Sequence, residues 1–125
     1  MHAEYVFAVR FRLEPTTGDV SVSPNEFETT LLRAADDPGT DGWLFFRDNL
    51  WRGEVNDPTH VRELATDALG VPVLSVEFRG LRTDSEYFAA LKETIGENLD
   101  LFRADSVHEV LNKYLGSSIQ VEDDD

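Results

Sequence analysis

Arginine and tryptophan recur together between Gly42 and Val55, in the stretch GWLFFRDNLWRGEV. Two aromatic runs, each carrying an arginine, flank the polar pair Asp48-Asn49. A guanidinium next to an aromatic ring can stack on it, pair with a carboxylate or hold a phosphate. All three are binding chemistries. Which of them the stretch performs depends on how the backbone distributes these side chains between faces.

Other residue types offer less. His2, His60 and His108 show no ligand spacing; two fall in first helical turns and one at the N-terminal end, so no metal site is expected. Asp36-Asp37 and the run Asp123 to Asp125 lack the spacing of a Ca²⁺ loop and read as solvated charge. Gly39 to Gly42 has no following Lys-Ser/Thr and is not a phosphate loop. There is no cysteine. No nucleophile, base and orienting group can be named together, so the chain is expected to be non-enzymatic and to carry no cofactor.

The chain has 125 residues, suited to one domain over 1–121 with an acidic tail at 122–125. No charged-then-apolar leader and no span-length apolar run occurs, so a soluble, cytoplasmic protein without membrane contact is expected. Lys and Arg total 11 against 25 Asp and Glu, a net charge of −14, and only two of the basic residues are lysines. Hydrophobic residues make up 41% and fall in periodic patterns, which argues for a folded domain with an acidic surface rather than a disordered chain. Such a surface repels itself in dilute buffer; at molar salt the Debye length is about 3 Å and the repulsion is screened. High salt is therefore expected to be required for stability.

The elements follow from periodicity. Tyr5, Phe7, Val9, Phe11 and Leu13 alternate with smaller or polar residues and predict a strand. Ser23-Pro24-Asn25-Glu26 has the form of a capping box, with Val22 and Phe27 at the staple positions, and predicts a helix through Ala35. Asp48-Asn49 predicts the turn of a hairpin pairing Arg47 with Leu50, Phe46 with Trp51 and Phe45 with Arg52. Leu44, Phe46, Trp51 and Val55 would then face the core. Asp57-Pro58 opens a helix whose stripe is Val61, Leu64, Ala65, Ala68 and Leu69, stopped by Gly70. Val71 to Arg79 predicts a strand. Thr83-Asp84-Ser85-Glu86 caps a third helix and Asp105 a fourth, which ends at Gly116; Ile119 and Val121 suggest a short edge strand before a frayed tail. The order is α+β, β-α-β-β-α-β with two additional C-terminal helices, the ferredoxin-like plan of an antiparallel sheet with helices on one face.

On that plan Arg10, Arg12, Arg47, Arg52 and Arg79 share the second face of the sheet with Trp43 and Phe45. Three coverings are open. The C-terminal helices could cross the face, with arginines paired to Glu54 and Glu77. A protein partner or a second copy could cover it, since arginine with aromatics is enriched at binding surfaces. RNA could stack on it, although the chain lacks an RNP1 signature and its charge opposes a polyanion. A small anionic ligand is a lesser fourth. The function expected is protein–protein interaction or self-association; the alternative is an RNA-binding module.

The triplet Leu50-Trp51-Arg52, in a small, very acidic, cysteine-free chain, resembles the haloarchaeal LWR-salt family. The resemblance covers nearly the whole chain in length and charge. It implies a salt-loving host and brings no catalytic residues to carry over.

The acidic surface generates the first prediction. Thermal unfolding followed by circular dichroism in about 0.1 M and about 3 M KCl should give a markedly higher midpoint at high salt. Equal midpoints would remove the salt-adaptation argument.

Overall fold

The computed structural model describes residues 1–13 and 25–123. The sheet is built around β1 (Ala3–Arg12), where the expected alternation holds: Ala3, Tyr5, Phe7 and Val9 are buried and no even-numbered residue is. β1 pairs antiparallel on one side with β2 (Glu26–Ala34) and on the other with β5 (Val73–Thr83), and β6 (Ile119–Val121) adds parallel to β5. The strand order is β2-β1-β5-β6. The fold is α+β with a mixed sheet, but the strand order and the parallel pair differ from the ferredoxin-like plan expected.

The main departure is at β2. Phe27 to Ala34 forms a strand, not a helix, and pairs with β1 along its whole length. Thr29-Thr30 is β-branched and poor in a helix interior, while Leu31-Leu32 can serve both faces of a strand. Glu26 does not close a helix cap; it reaches across to Arg10 and Arg12. The expected cap and staple residues Val22, Ser23 and Pro24 lie outside the described residues.

The stretch after β2 departs too. Phe45–Asn49 coils into a short helix, α1, and only Leu50–Trp51 (β3) and Glu54–Val55 (β4) form a hairpin. Trp43, Phe46 and Leu50 stand at helical spacing and are 9%, 1% and 0% exposed, so a period near 3.6 was hidden in a stretch that also fits a period of two. The Asn49 amide donates to the Phe45 carbonyl at 3.1 Å and closes the turn of helix. The hairpin therefore turns at Arg52-Gly53, not at Asp48-Asn49. Both have positive φ, 53° and 80°, as a two-residue hairpin turn requires, and glycine supplies it without strain. The late turn reverses the two tryptophans: Trp43 enters the core, while Trp51 is 45% exposed.

The remaining three helices form within one residue of their expected caps. Asp57 caps α2 (Pro58–Leu69) by accepting from the His60 amide, and Gly70 closes it. The cap of α3 (Ser85–Glu97) is Asp84, one residue later than expected; its carboxylate accepts from the Tyr87 amide, which holds its pKa below the usual aspartate range. The cap of α4 (Val107–Tyr114) is Ser106 rather than Asp105, with Glu109 accepting from the Asp105 amide. The Tyr87 hydroxyl donates to the Asp36 carbonyl at 2.7 Å, and burial pushes this phenol up to about 12. Instead of fraying, the start of the tail is tied: the Glu122 amide donates to Thr83 at 2.7 Å, and the Asp123 carboxylate accepts from Ser85.

β5 runs past Arg79 to Thr83 because a bulge there resets its alternation. Phe7 pairs with Phe78 and Val6 with Gly80, so Arg79 is the extra residue. Phe78 is buried before the bulge; Leu81 and Thr83, of opposite parity, are buried after it. Buried residues of all four helices join Tyr5, Phe7 and Val9 in one cluster, so the helices occupy a single face of the sheet. The C-terminal helices α3 and α4 pack there as well and do not cross the second face.

The exchanged tryptophans define a test. Trp43 lies edge-on to Phe46 and Phe102, at 6.2 and 5.9 Å, inside the core. Trp43→Ala should cost about 3–5 kcal/mol in urea unfolding at high salt. Trp51→Ala should cost about 1 kcal/mol, the scale of one ring contact. A larger cost for Trp51 would contradict the hairpin turn at Arg52-Gly53.

Candidate interaction surface

The seven residues expected on one face are divided by the fold. Arg10 and Arg12 do lie on the second face of the sheet, where both reach the Glu26 carboxylate, at 3.1 and 3.0 Å. Hydrogen bonding from Arg12 holds that carboxyl below its ordinary range, with the charge of Arg10 adding to it. Arg79, at the bulge, pairs with Glu77 at 2.9 Å. Arg82 pairs with Glu4 on the same face. The pairs at Glu26 and Glu77 are open to solvent and add little to stability.

The other four leave that face because α1 and the short hairpin lift them off the sheet. Trp43 is in the core. Phe45 packs beside Tyr5, ring centres 4.8 Å apart, beneath the guanidinium of Arg33 at 4.5 Å. Arg47 donates to Asp48 at 3.0 Å and to the Leu101 carbonyl at 3.5 Å. Arg52 occupies the hairpin turn. The aromatic residues of the sheet, Tyr5, Phe7, Phe11, Phe27 and Phe78, belong to the helix-covered side by register. Among the described residues the second face is thus a lattice of ion pairs around Val6 and Ala8 without a ring on it.

A tighter constellation stands at the hairpin, where sequence reasoning had placed only Arg52. Leu50 is fully buried and anchors β3. The amides of Arg52 and Gly53 donate to the carbonyls of Lys113 and Tyr114, at 2.8 and 2.9 Å. Those carbonyls belong to the last turn of α4, which has no partners of its own for them. The approach is backbone on backbone: a Cβ on Gly53 would stand 3.2 Å from the Leu115 carbonyl oxygen. Trp51 is left outside, edge-on to Tyr114 at 5.9 Å. Arg52 and Lys113 flank it, with their charges 5.7 and 5.8 Å from its ring. The Lys113 ammonium is fixed by donation to the Phe102 carbonyl at 2.9 Å. Both cations sit beside the C-terminal end of α4, where its dipole favours them.

This corner opens on a shallow concavity of about 630 Å³, lined by Trp51, Arg52, Glu109, Asn112, Lys113 and the Gly116-Ser117 turn. A flat ring between two cations can bury an apolar or planar group and hold an anionic one beside it. The signal that could have located it is the dipeptide Arg52-Gly53, where a glycine follows a residue able to turn. Among the described residues no group of three or more His, Asp or Glu is placed to hold a metal ion.

The geometry of the turn is testable. Gly53→Ala forces a side chain into positive φ against the Leu115 carbonyl and should destabilise by about 1–2 kcal/mol in urea. Arg52→Gly keeps the amide and relieves the same strain, so it should leave stability equal or raised by up to about 1 kcal/mol. The opposite order would exclude this turn.

A protein-family model described as LWR-salt protein matches residues 1–125, and the chain belongs to that family. No curated protein and no solved structure matches it.

Proposed function

We propose that this member of the LWR-salt family is a non-enzymatic, salt-adapted domain of a haloarchaeal cytoplasm that acts by binding a protein partner or a second copy of itself through the Trp51 corner. One observation carries this reading. Trp51 is 45% exposed although its backbone neighbours are locked onto α4. Tryptophan, tyrosine and arginine dominate the energetics of protein interfaces, most of all when they are rigid before contact. The charge balance of 11 basic against 25 acidic residues supports the salt adaptation. At molar salt, charge steering is screened, and burial of a large ring remains an effective source of affinity.

An RNA-binding sheet face has less support. The rings that would stack bases lie on the helix side, and Arg10, Arg12 and Arg79 already hold carboxylates.

Light scattering and affinity capture in about 3 M KCl test the reading, with salt chosen to screen the acidic surface. The wild type should dimerise or retain a protein, and a Trp51→Ala, Arg52→Ala double variant with unchanged circular dichroism should lose this. A monomer whose captured material is the same for both proteins would refute it. RNA retained by the wild type alone would move the assignment to nucleic acid.

A further inference from the structure

We propose that the groove between β2 and α2 is a binding site for a small amphipathic monocarboxylate, an aryl or short-chain acyl acid whose carboxylate is held by Arg33. The site shares no lining residue with the Trp51 corner and does not depend on that reading.

β2 is one edge strand of the sheet, and a groove lined by its residues and by those of α2 runs beside it. Along α2 the small residue Ala65 is buried, and Ala68, also small, stands exposed at the rim of the groove. These leave a cavity of about 160 Å³, open on one side and floored by Phe7, Phe45 and Val76. An apolar cavity of about this size, roughly 150 Å³, accommodates a benzene-sized guest. The volume therefore admits one ring or an acyl chain of comparable bulk, and little more.

The charge at the mouth selects the class. Among the described residues Arg33 is the sole ionisable one lining the cavity, and the others are apolar. Its guanidinium is held over the Phe45 ring at 4.5 Å. Among the described residues no carboxylate forms an ion pair with it, whereas Arg10, Arg12, Arg47, Arg79 and Arg82 each have one. In a chain with 25 acidic residues, this apolar groove is lined by a cation and, among the described residues, by no carboxylate. A guanidinium packed on a ring retains in-plane N–H donors, which match a carboxylate in bidentate fashion. A phosphate or dicarboxylate would ask for further donors, and the apolar lining provides none. Peptide or RNA would not fit the volume.

The probes are benzoate and hexanoate, each against its neutral counterpart, benzyl alcohol and 1-hexanol, titrated into the full chain at high salt. Amide shifts in ¹⁵N-correlated spectra give both affinity and location. The acids should bind saturably, about tenfold more tightly than the alcohols, with shifts centred on Leu31, Arg33, Leu64 and Ala68. Arg33→Gln should remove the preference for the acids and leave the alcohols unchanged. Ala68→Phe, which fills the groove, should abolish both. Equal binding of acid and alcohol by the wild type would overturn the proposal, as would shifts that map elsewhere or fail to saturate. So would groove shifts that appear on raising protein concentration alone, because the occupant would then be a second copy.

Discussion

Two backbone hydrogen bonds, from the amides of Arg52 and Gly53 to the carbonyls of Lys113 and Tyr114, set the arrangement of the lower half of the molecule. They join the hairpin to a helix some sixty residues later in the chain (roughly; such long-range closures carry a loop-entropy cost that local contacts must offset). A helix end needs partners for its last carbonyls, and the hairpin turn needs a place for two amides that point the same way. Each satisfies the other. Once the turn is fixed there, the strand before it has no freedom of register: Leu50 must go in and Trp51 must stay out. The stack of Phe46 on Phe102, 5.7 Å apart and nearly parallel, then fills the space between α1 and the turn of 3-10 helix at Leu99–Phe102.

The upper half obeys a different constraint. β1 is central and its alternation admits one buried face, so every helix is drawn to that face. The bulge at Arg79 keeps β5 in step with this demand: Phe78 and Leu81 are three apart, yet both reach the core. The opposite face must be compatible with solvent. It achieves this with arginine–carboxylate pairs, between strands at Glu26 and Glu4 and within β5 at Glu77.

How much of this was legible can be argued element by element. β1, α2, α3, α4 and β6 were, because each has either an unbroken period or a cap whose side chain does what its type predicts. Asp57 is such a cap, while α3 is capped one residue after its expected cap. β2 was misread because its helical signals are local and its strand signal is not. A capping pattern can be seen in four adjacent residues; the ladder to β1 can be seen only when both strands are present. The stretch from Trp43 to Trp51 was misread because Trp43, Phe46 and Leu50 fit a helix while Phe46, Trp51 and Val55 fit a hairpin. Packing against Phe102, far along the chain, decided between them. The arginine-rich face failed with that stretch: Arg10, Arg12 and Arg79 needed only strand parity, but Arg47 and Arg52 needed the turn to be in the right place.

Arginine consequently has two different uses in this molecule. On the sheet face, Arg10, Arg12, Arg79 and Arg82 hold carboxylates and keep a −14 chain from repelling itself strand against strand. At Phe45 and at Trp51, arginine meets a ring, and no ion pair is formed there by Arg33 or Arg52 among the described residues. The two uses respond differently to salt. Exposed ion pairs weaken when the Debye length falls to about 3 Å, because their attraction is mostly Coulombic. A guanidinium on a ring loses less, since part of its attraction is contact and desolvation, and arginine is more weakly hydrated than lysine. Ring-backed arginines therefore keep more of their attraction at high ionic strength than the charge lattice does, and among the described residues Arg33 on Phe45 and Arg52 beside Trp51 are arginines of that kind.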